Sequence, residues 1–134
     1  MEIKIQEYKD IAVIAIKGRL DHSTVPQMDQ AFETATDRGK YKLIIDLSQL
    51  NFLSSSGIDA LLTTQKNIRS RNRGEMVLVG LHPRVRGTLE LAGLAGFFKY
   101  FDDLPSAMEF ASSLPGTSTT EAPPPSEKDK PKSI

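Results

Sequence analysis

The chain has 134 residues, a formal net charge of zero and no cysteine. Its length fits one domain with a core of its own. The missing cysteine excludes disulfides, thiolate catalysis and thiolate metal sites, and the balanced charge argues against general nucleic-acid binding, which needs a basic excess. The start, Met1-Glu2-Ile3-Lys4-Ile5, has no basic stretch leading into an apolar one, so no signal peptide is expected. No apolar run approaches the roughly 20 residues that span a bilayer. These features predict a small cytoplasmic protein with no membrane insertion.

Glu2–Tyr8 alternates, with Ile3 and Ile5 on one face and Lys4 and Gln6 on the other. It predicts a strand ending in a hairpin loop at Lys9-Asp10. Ile11–Ile16 predicts a more buried second strand, left by a loop over residues 17–23. A helix is expected next, with Thr24 as N-cap, Gln27 as its capping-box partner, Val25, Met28, Phe32 and Ala35 as its apolar stripe, and Gly39 as the C-terminal stop. The apolar run in Lys42–Leu47 predicts a third strand covered on both faces. The spacing of Ile58, Leu61, Leu62, Gln65 and Ile68 predicts a second helix from about Ser56 to Asn72, closed by Gly74. Glu75–Val79 reads as a fourth strand. Arg84–Leu91 reads as a third helix with Val85 and Leu89 inward, broken by residues 92–96. Phe97–Phe101 reads as a fifth strand, and Pro105–Ser112 as a last helix with Ala107, Met108 and Ala111 inward. From Pro115 to Ile134 there is no apolar periodicity, and proline, serine, threonine and lysine dominate; a disordered tail is expected beyond a domain of residues 1–114. The order β-β-α-β-α-β-α-β-α predicts an α/β fold around a mixed, mostly parallel sheet.

Ser54, Ser55 and Ser56, followed by Gly57, stand where the third strand passes into the second helix. One serine there caps the helix by satisfying a free backbone N–H, worth ~1 kcal/mol. Three exceed that need. A phosphate at a helix N-terminus meets free N–H groups and the positive end of the dipole, and it adds charge and bulk to any surface that docks there. Spacing alone leaves capping and phosphorylation both open. A nucleophilic serine would need Gly-x-Ser-x-Gly, and Leu53 replaces the first glycine. His22, directly after Asp21, and His82, before Pro83, are poorly placed as its base. Loops at the carboxyl ends of parallel strands gather on one edge, so Asp21 is expected near the serines and placed to accept a hydrogen bond from one. Asp102-Asp103 and Asp21-His22 lack metal-ligand spacing, and no glycine-rich phosphate loop is present. Lys66, Arg69, Arg71 and Arg73 crowd a helix C-terminus, where cations are favoured anyway. Leu91, Leu94, Phe97 and Phe98 read as core.

Four segments together resemble one family. Gly18-Arg19-Leu20-Asp21-His22-Ser23-Thr24 is similar to the first motif of STAS domains of the anti-sigma factor antagonist type. Residues 45–58, Ile45-Asp46-Leu47-Ser48-Gln49-Leu50-Asn51-Phe52-Leu53-Ser54-Ser55-Ser56-Gly57-Ile58, resemble their phosphorylation motif. Gly74–Val79 and Leu89–Leu94 resemble the later strand and helix end. The resemblance covers about residues 2–114 and implies a mixed sheet with about four helices packed mainly on one side. It also implies a mechanism without cofactor or catalytic group. The unphosphorylated protein would sequester an anti-sigma factor serine kinase and so free a sigma factor. The kinase would phosphorylate the serine two positions before the motif glycine, Ser55, and be released. A serine/threonine phosphatase of the metal-dependent class would reset the protein. Asp21, Ser54, Ser56 and Gly57 would surround the phosphosite. Ser54 stands where many members carry an acidic residue. The alternative is an unswitched STAS module serving as a scaffold subunit of a transporter or signalling assembly.

Overall fold

The computed structural model describes residues 1–72, 74–91, 93 and 95–115. The expected tail therefore falls almost wholly outside the described residues, as do Arg73 and Leu94. Ten elements follow one another: β1 (Glu2–Tyr8), β2 (Ile11–Leu20), α1 (Val25–Asp37), β3 (Lys42–Leu53), α2 (Ser55–Asn72), β4 (Glu75–Val79), α3 (Pro83–Leu91), a 3-10 turn (Ala95–Phe97), β5 (Lys99–Phe101) and α4 (Leu104–Ser113). The five strands lie in the order β1-β2-β3-β4-β5. β1 is antiparallel to β2, with Tyr8 opposite Ile11, and the remaining pairs are parallel.

That order explains the layering. Each crossover from β2 onward steps in the same direction across the sheet, and right-handed crossovers then put every intervening helix on one face. Ala12, Ile14 and Ile16 of β2, Leu43, Ile45 and Leu47 of β3, and Met76 and Leu78 of β4 accordingly meet Met28 and Phe32 of α1, Ile58 and Leu61 of α2, and Val85 and Leu89 of α3. The alternate residues Ile11, Val13, Ile44, Val77 and Val79 face the other way, against Ala107 and Ala111 of α4. The α/β class and the mainly one-sided helices are as expected from the sequence.

Several expectations are corrected. The second and third strands do not stop at Ile16 and Leu47: residues 17–20 are strand, paired to a β3 that runs on to Leu53. β4 leaves β3 at Asp46↔Val79, so the added residues form a two-stranded extension beyond the rest of the sheet. The register slips twice along it. β2 advances from Ala15 to Lys17 while β3 advances from Asp46 to Gln49, and from Gly18 to Arg19 while β3 goes from Leu50 to Phe52. Each slip is a bulge with one extra residue on β3. Gly18, at φ +109°, supplies the backbone conformation that a side chain would resist at this point. The Asp46 carboxylate accepts the Ser48 N–H at 3.0 Å beside the first slip.

Thr24 occupies the N-cap of α1 but makes no side-chain cap. Its hydroxyl donates to the Arg19 carbonyl at 2.9 Å, and Gln27 donates instead to the Met1 carbonyl at 3.2 Å. The expected capping box is absent because Thr24 is recruited by the end of β2 and Gln27 by the start of the chain. Gly39 does close α1: Gly39 N–H and Lys40 N–H reach back to the carbonyls of Thr36 and Ala35 at 3.0 and 2.9 Å. Leu91 is 94% exposed and Phe97 38% exposed, so neither is core. α3 turns Val85 and Leu89 inward, one turn apart, and Leu91, two residues further on, falls on the opposite side. Phe97 lies in the 3-10 turn, which delays β5 to Lys99, and Phe98 alone of the pair is buried.

Gln65 is fully buried on the inward face of α2. β5 pairs with β4 only from Val77 onward, which leaves Met76 without a strand partner on that side. The Gln65 carboxamide takes its place. It accepts from Met76 N–H at 2.9 Å and donates to the carbonyls of Met76 and Phe97 at 3.1 and 2.9 Å. Arg69, one turn on, grips Glu75 with two bonds of 3.1 and 2.9 Å, so this cation near the C-terminus of α2 is paired and structural. At the amino-terminal edge of the sheet the buried Lys42 ammonium joins Asp10 at 2.9 Å and the Leu114 carbonyl at 3.0 Å.

Replacing Gln65 by Ala leaves buried backbone groups of Met76 and Phe97 unpaired and opens a cavity; about 3 kcal/mol should be lost from the unfolding free energy. Urea denaturation followed by circular dichroism measures this, and a loss below about 1 kcal/mol would contradict the role assigned to Gln65.

Candidate functional site

The tip of the β2–β3 extension is where the chemistry collects. Leu20 and Leu53 are register partners, both buried, and the Ser54 N–H donates to the Leu20 carbonyl at 2.9 Å. The two chains therefore leave the sheet side by side, β2 into Asp21 and β3 into Ser54. Asp21 and the serine block share this edge, as expected.

The three serines divide the work. Ser54 is the N-cap of α2: its carbonyl accepts the first helical bond, from Ile58 N–H at 3.0 Å, and its hydroxyl accepts from Gly57 N–H at 3.2 Å. Ser55 is the first helical residue, so the helix starts one residue earlier than the pattern suggested. Ser55 and Ser56 are exposed, and among the described residues neither hydroxyl makes a hydrogen bond. Their backbone N–H groups belong to the first turn, where no intrahelical acceptor exists. Ser55 thus presents a free hydroxyl beside free amides at the positive end of an 18-residue helix.

Gly57 sets how closely this helix start approaches the sheet. A Cβ at Gly57 would stand 2.8 Å from Leu53 Cδ1 and 2.9 Å from Leu20 Cγ. Leu20 Cγ belongs to a fully buried side chain and has no room to retreat. The glycine is here for close approach, since its φ is not in the left-handed region.

Asp21 sits beside the serine block but does not take a hydrogen bond from it. Its Oδ1 accepts from Ser23 Oγ at 2.7 Å and Ser23 N–H at 3.0 Å, and Arg19 Nε lies 3.8 Å from Oδ2. The expected bond to a serine of the 54–56 block is replaced by a turn closed within residues 21–24. The Ser23 hydroxyl, above all, holds the Asp21 carboxyl below its usual value; the Ser23 and Thr24 amides and the Arg19 charge add to this, against a partial opposing effect of burial.

His22 is exposed, and among the described residues no hydrogen bond joins it to Ser54, Ser55 or Ser56. His82 caps α3, its Nδ1 accepting from Arg84 N–H at 3.1 Å, and so offers no free base to Ser55. Asp103 caps α4 through Ser106 N–H at 2.8 Å, and this bond holds its carboxyl low. Among the described residues no three His, Asp or Glu side chains are grouped to hold a metal ion, and no helix is long and apolar enough to cross a membrane. One feature of the tip carries no sequence signal: the Arg19 guanidinium stacks on the exposed Phe52 ring, 4.1 Å from its centre. The two are register partners only because of the bulges in β3.

The family model described as "STAS domain" matches residues 2–107. The anti-sigma-B factor antagonist of Listeria monocytogenes is 30% identical over 95 residues, covering 71% of this chain and 82% of that protein. The anti-sigma F factor antagonist of Paenibacillus polymyxa is 25% identical over 109 residues, covering 81% of this chain and 92% of that protein. The unphosphorylated form of the antagonist SpoIIAA superposes with a TM-score of 0.72 at 23% identity, covering 84% of this chain and 98% of that one. The phosphorylated form of Bacillus SpoIIAA superposes with a TM-score of 0.65 at 22% identity, over 81% of this chain and 98% of that one. The chain belongs to the STAS-domain family of anti-sigma factor antagonists.

Two measurements check the geometry of the tip. Gly57→Ala should cost about 1–3 kcal/mol by overpacking, Ser54→Ala about 1 kcal/mol by loss of the cap, and Ser55→Ala less than about 0.5 kcal/mol, all read from denaturant unfolding. By carbon-detected NMR titration, the Asp21 carboxyl should titrate below the ordinary value of 3.8 and move back toward it in Ser23→Ala. Because its folded pKa is depressed, the turn's contribution is present above the unfolded value and is lost as pH falls through the folded one.

Proposed function

We propose that the protein is an anti-sigma factor antagonist switched by phosphorylation of Ser55. Unphosphorylated, it binds and sequesters an anti-sigma factor serine kinase and so frees a sigma factor. The γ-phosphoryl group passes from the kinase's ATP to Ser55 Oγ, the bond to the β-phosphate oxygen breaks to leave ADP, the hydroxyl proton is released, and the kinase is ejected. A serine/threonine phosphatase of the metal-dependent class hydrolyses the phosphoserine and restores binding. The protein acts in the cytoplasm as a binding module, and its own residues supply no catalytic group. The switched unit is the domain of residues 1–114.

One observation carries the choice of serine. Ser54 is committed to the cap, while Ser55 and Ser56 are exposed with unengaged hydroxyls, and of these two Ser55 is the one that stands two positions before Gly57, as the phosphoserine does in the family motif this stretch resembles. The mechanism follows from the same geometry. A phosphoserine carries close to two negative charges at neutral pH, and at this position the Ser55 and Ser56 amides and the helix dipole offset them. The helix accommodates the phosphate without rearrangement. A partner that buries the bare hydroxyl would instead have to desolvate a dianion and make room for it, and the complex fails. Asp21 lines the same tip. Gly57 keeps the tip rigid by seating α2 on Leu20 and Leu53.

The test is incubation with ATP and the candidate anti-sigma kinases of the source organism, read by intact and peptide mass spectrometry. A single phosphate on the peptide containing residues 54–56, abolished in Ser55→Ala, is the expected result. Ser55→Ala should keep partner affinity, and Ser55→Asp should weaken it by tenfold or more, on the order of 1.4 kcal/mol. Phosphate on Ser54 or Ser56 instead would overturn the assignment. No phosphate with any kinase would favour an unswitched scaffold.

A further inference from the structure

β1 is an outer strand of the sheet, with β2 on one side and nothing paired to the other. Lys9-Asp10 is a two-residue hairpin loop, so Tyr8 and Ile11 exchange hydrogen bonds across the turn. By alternation Glu2, Lys4 and Gln6 also turn their backbone groups toward β2, while Ile3, Ile5 and Glu7 turn theirs outward. Among the described residues, side chains cover the two ends of this edge alone, Gln27 at the Met1 carbonyl and Lys40 at the Lys9 carbonyl. Open edges are usually short, bulged or broken by proline. The opposite edge strand, β5, has three residues. β1 has seven, in unbroken register with β2 and without proline. Its guards are charges, and Ile5, opposite the fully buried Ile14, is still 36% exposed.

Such an edge takes an extended strand, and this one is complementary to itself. Two copies that meet antiparallel about a two-fold axis normal to the sheet pair residues of the same face. With the axis at Ile3, Ile3 faces Ile3, Ile5 faces Met1, and Lys4 faces Glu2 on both sides of the axis. Apolar residues then meet on the helix-covered face, where Met1 and Ile3 already pack on the core, and opposite charges meet on the other. The Met1 carbonyl, though held by Gln27, keeps a second lone pair for the Ile5 N–H of the second copy. The other centres fail. An axis at Glu2, Lys4 or Glu7 sets like charges against each other, and one at Ile5 or Gln6 sets an isoleucine against Glu7. We propose that the chain self-associates through β1 in the Ile3-centred register, joining two five-stranded sheets into one. The overlap, residues 1–5, is short, so the dimer belongs to the weak, concentration-dependent class. The strands of the two copies run in opposite directions, so their serine blocks lie at opposite ends of the joined sheet and both stay open.

The test is sedimentation velocity on the full chain over a rising concentration series. The wild-type mass should climb from that of one chain toward that of two. Lys4→Glu alone and Glu2→Lys alone should each weaken dimerisation at least about tenfold, because like charges then face each other on both sides of the axis. An equimolar mixture of these two variants should associate again, since each supplies the charge that the other lacks. Ile3→Pro removes an outward N–H and none of the bonds to β2, so it should abolish the dimer and leave the far-ultraviolet circular dichroism unchanged. The charge variants decide the matter if that variant folds poorly. A wild-type chain that stays monomeric throughout overturns the proposal. So does a dimer that the charge variants leave intact, or one that their mixture fails to restore.

Discussion

The hydrogen bond from Ser54 N–H to the Leu20 carbonyl, and the Leu20–Leu53 pair beneath it, hold the rest of the site in place. They end the sheet at one level on β2 and β3 and deliver both chains to the same edge. α2 then starts directly on top of the pair, at a distance only a glycine allows. The serine block depends on this seat for the committed cap at Ser54 and the open hydroxyl at Ser55. A surface read by a partner must be rigid, because a mobile hydroxyl would have to be ordered at binding, at a cost in affinity.

The two ends of the sheet are built for different purposes. At the amino-terminal edge, the buried Lys42 gathers the hairpin loop through Asp10 and the end of α4 through Leu114, while Lys40 and Arg38 hold Glu7. These groups satisfy one another and leave little for a partner. At the carboxyl-terminal edge the polar groups are local and open: an Asp21 turn, an unengaged Ser55 and an Arg19–Phe52 stack. Stability and the proposed recognition surface are thus separated along the strand axis, as expected of a parallel sheet whose binding loops follow the strands.

A phosphate switch on such an edge needs no conformational machinery. The helix start already provides amides and dipole for the added charge, and the N-cap bond at Ser54 does not involve the modified hydroxyl. In the proposed switch the bistable element is the complex, which either accommodates the tip or does not. This differs from switches that order or melt a segment, where the modified chain itself changes fold.

The amino-acid sequence by itself determined the element order, the mixed sheet and the place of the serine block. Local signals carry these: alternation in Glu2–Tyr8, the unbroken apolar run at Leu43–Ile45, the three-and-four spacing of α2. It also carried the family, through motifs in register around Asp21 and Ser55. Tertiary structure decided the rest. The two bulges turn the core-facing positions of β3 into Leu47, Leu50 and Leu53, a spacing of three that no strand pattern contains, so the extension that builds the tip was invisible to periodicity. The partners of Asp21 and the strand-completing role of Gln65 likewise depend on residues distant in sequence or on competing local bonds. Hydrophobic periodicity reports which face of an element is buried, but not which polar groups meet once the faces are joined.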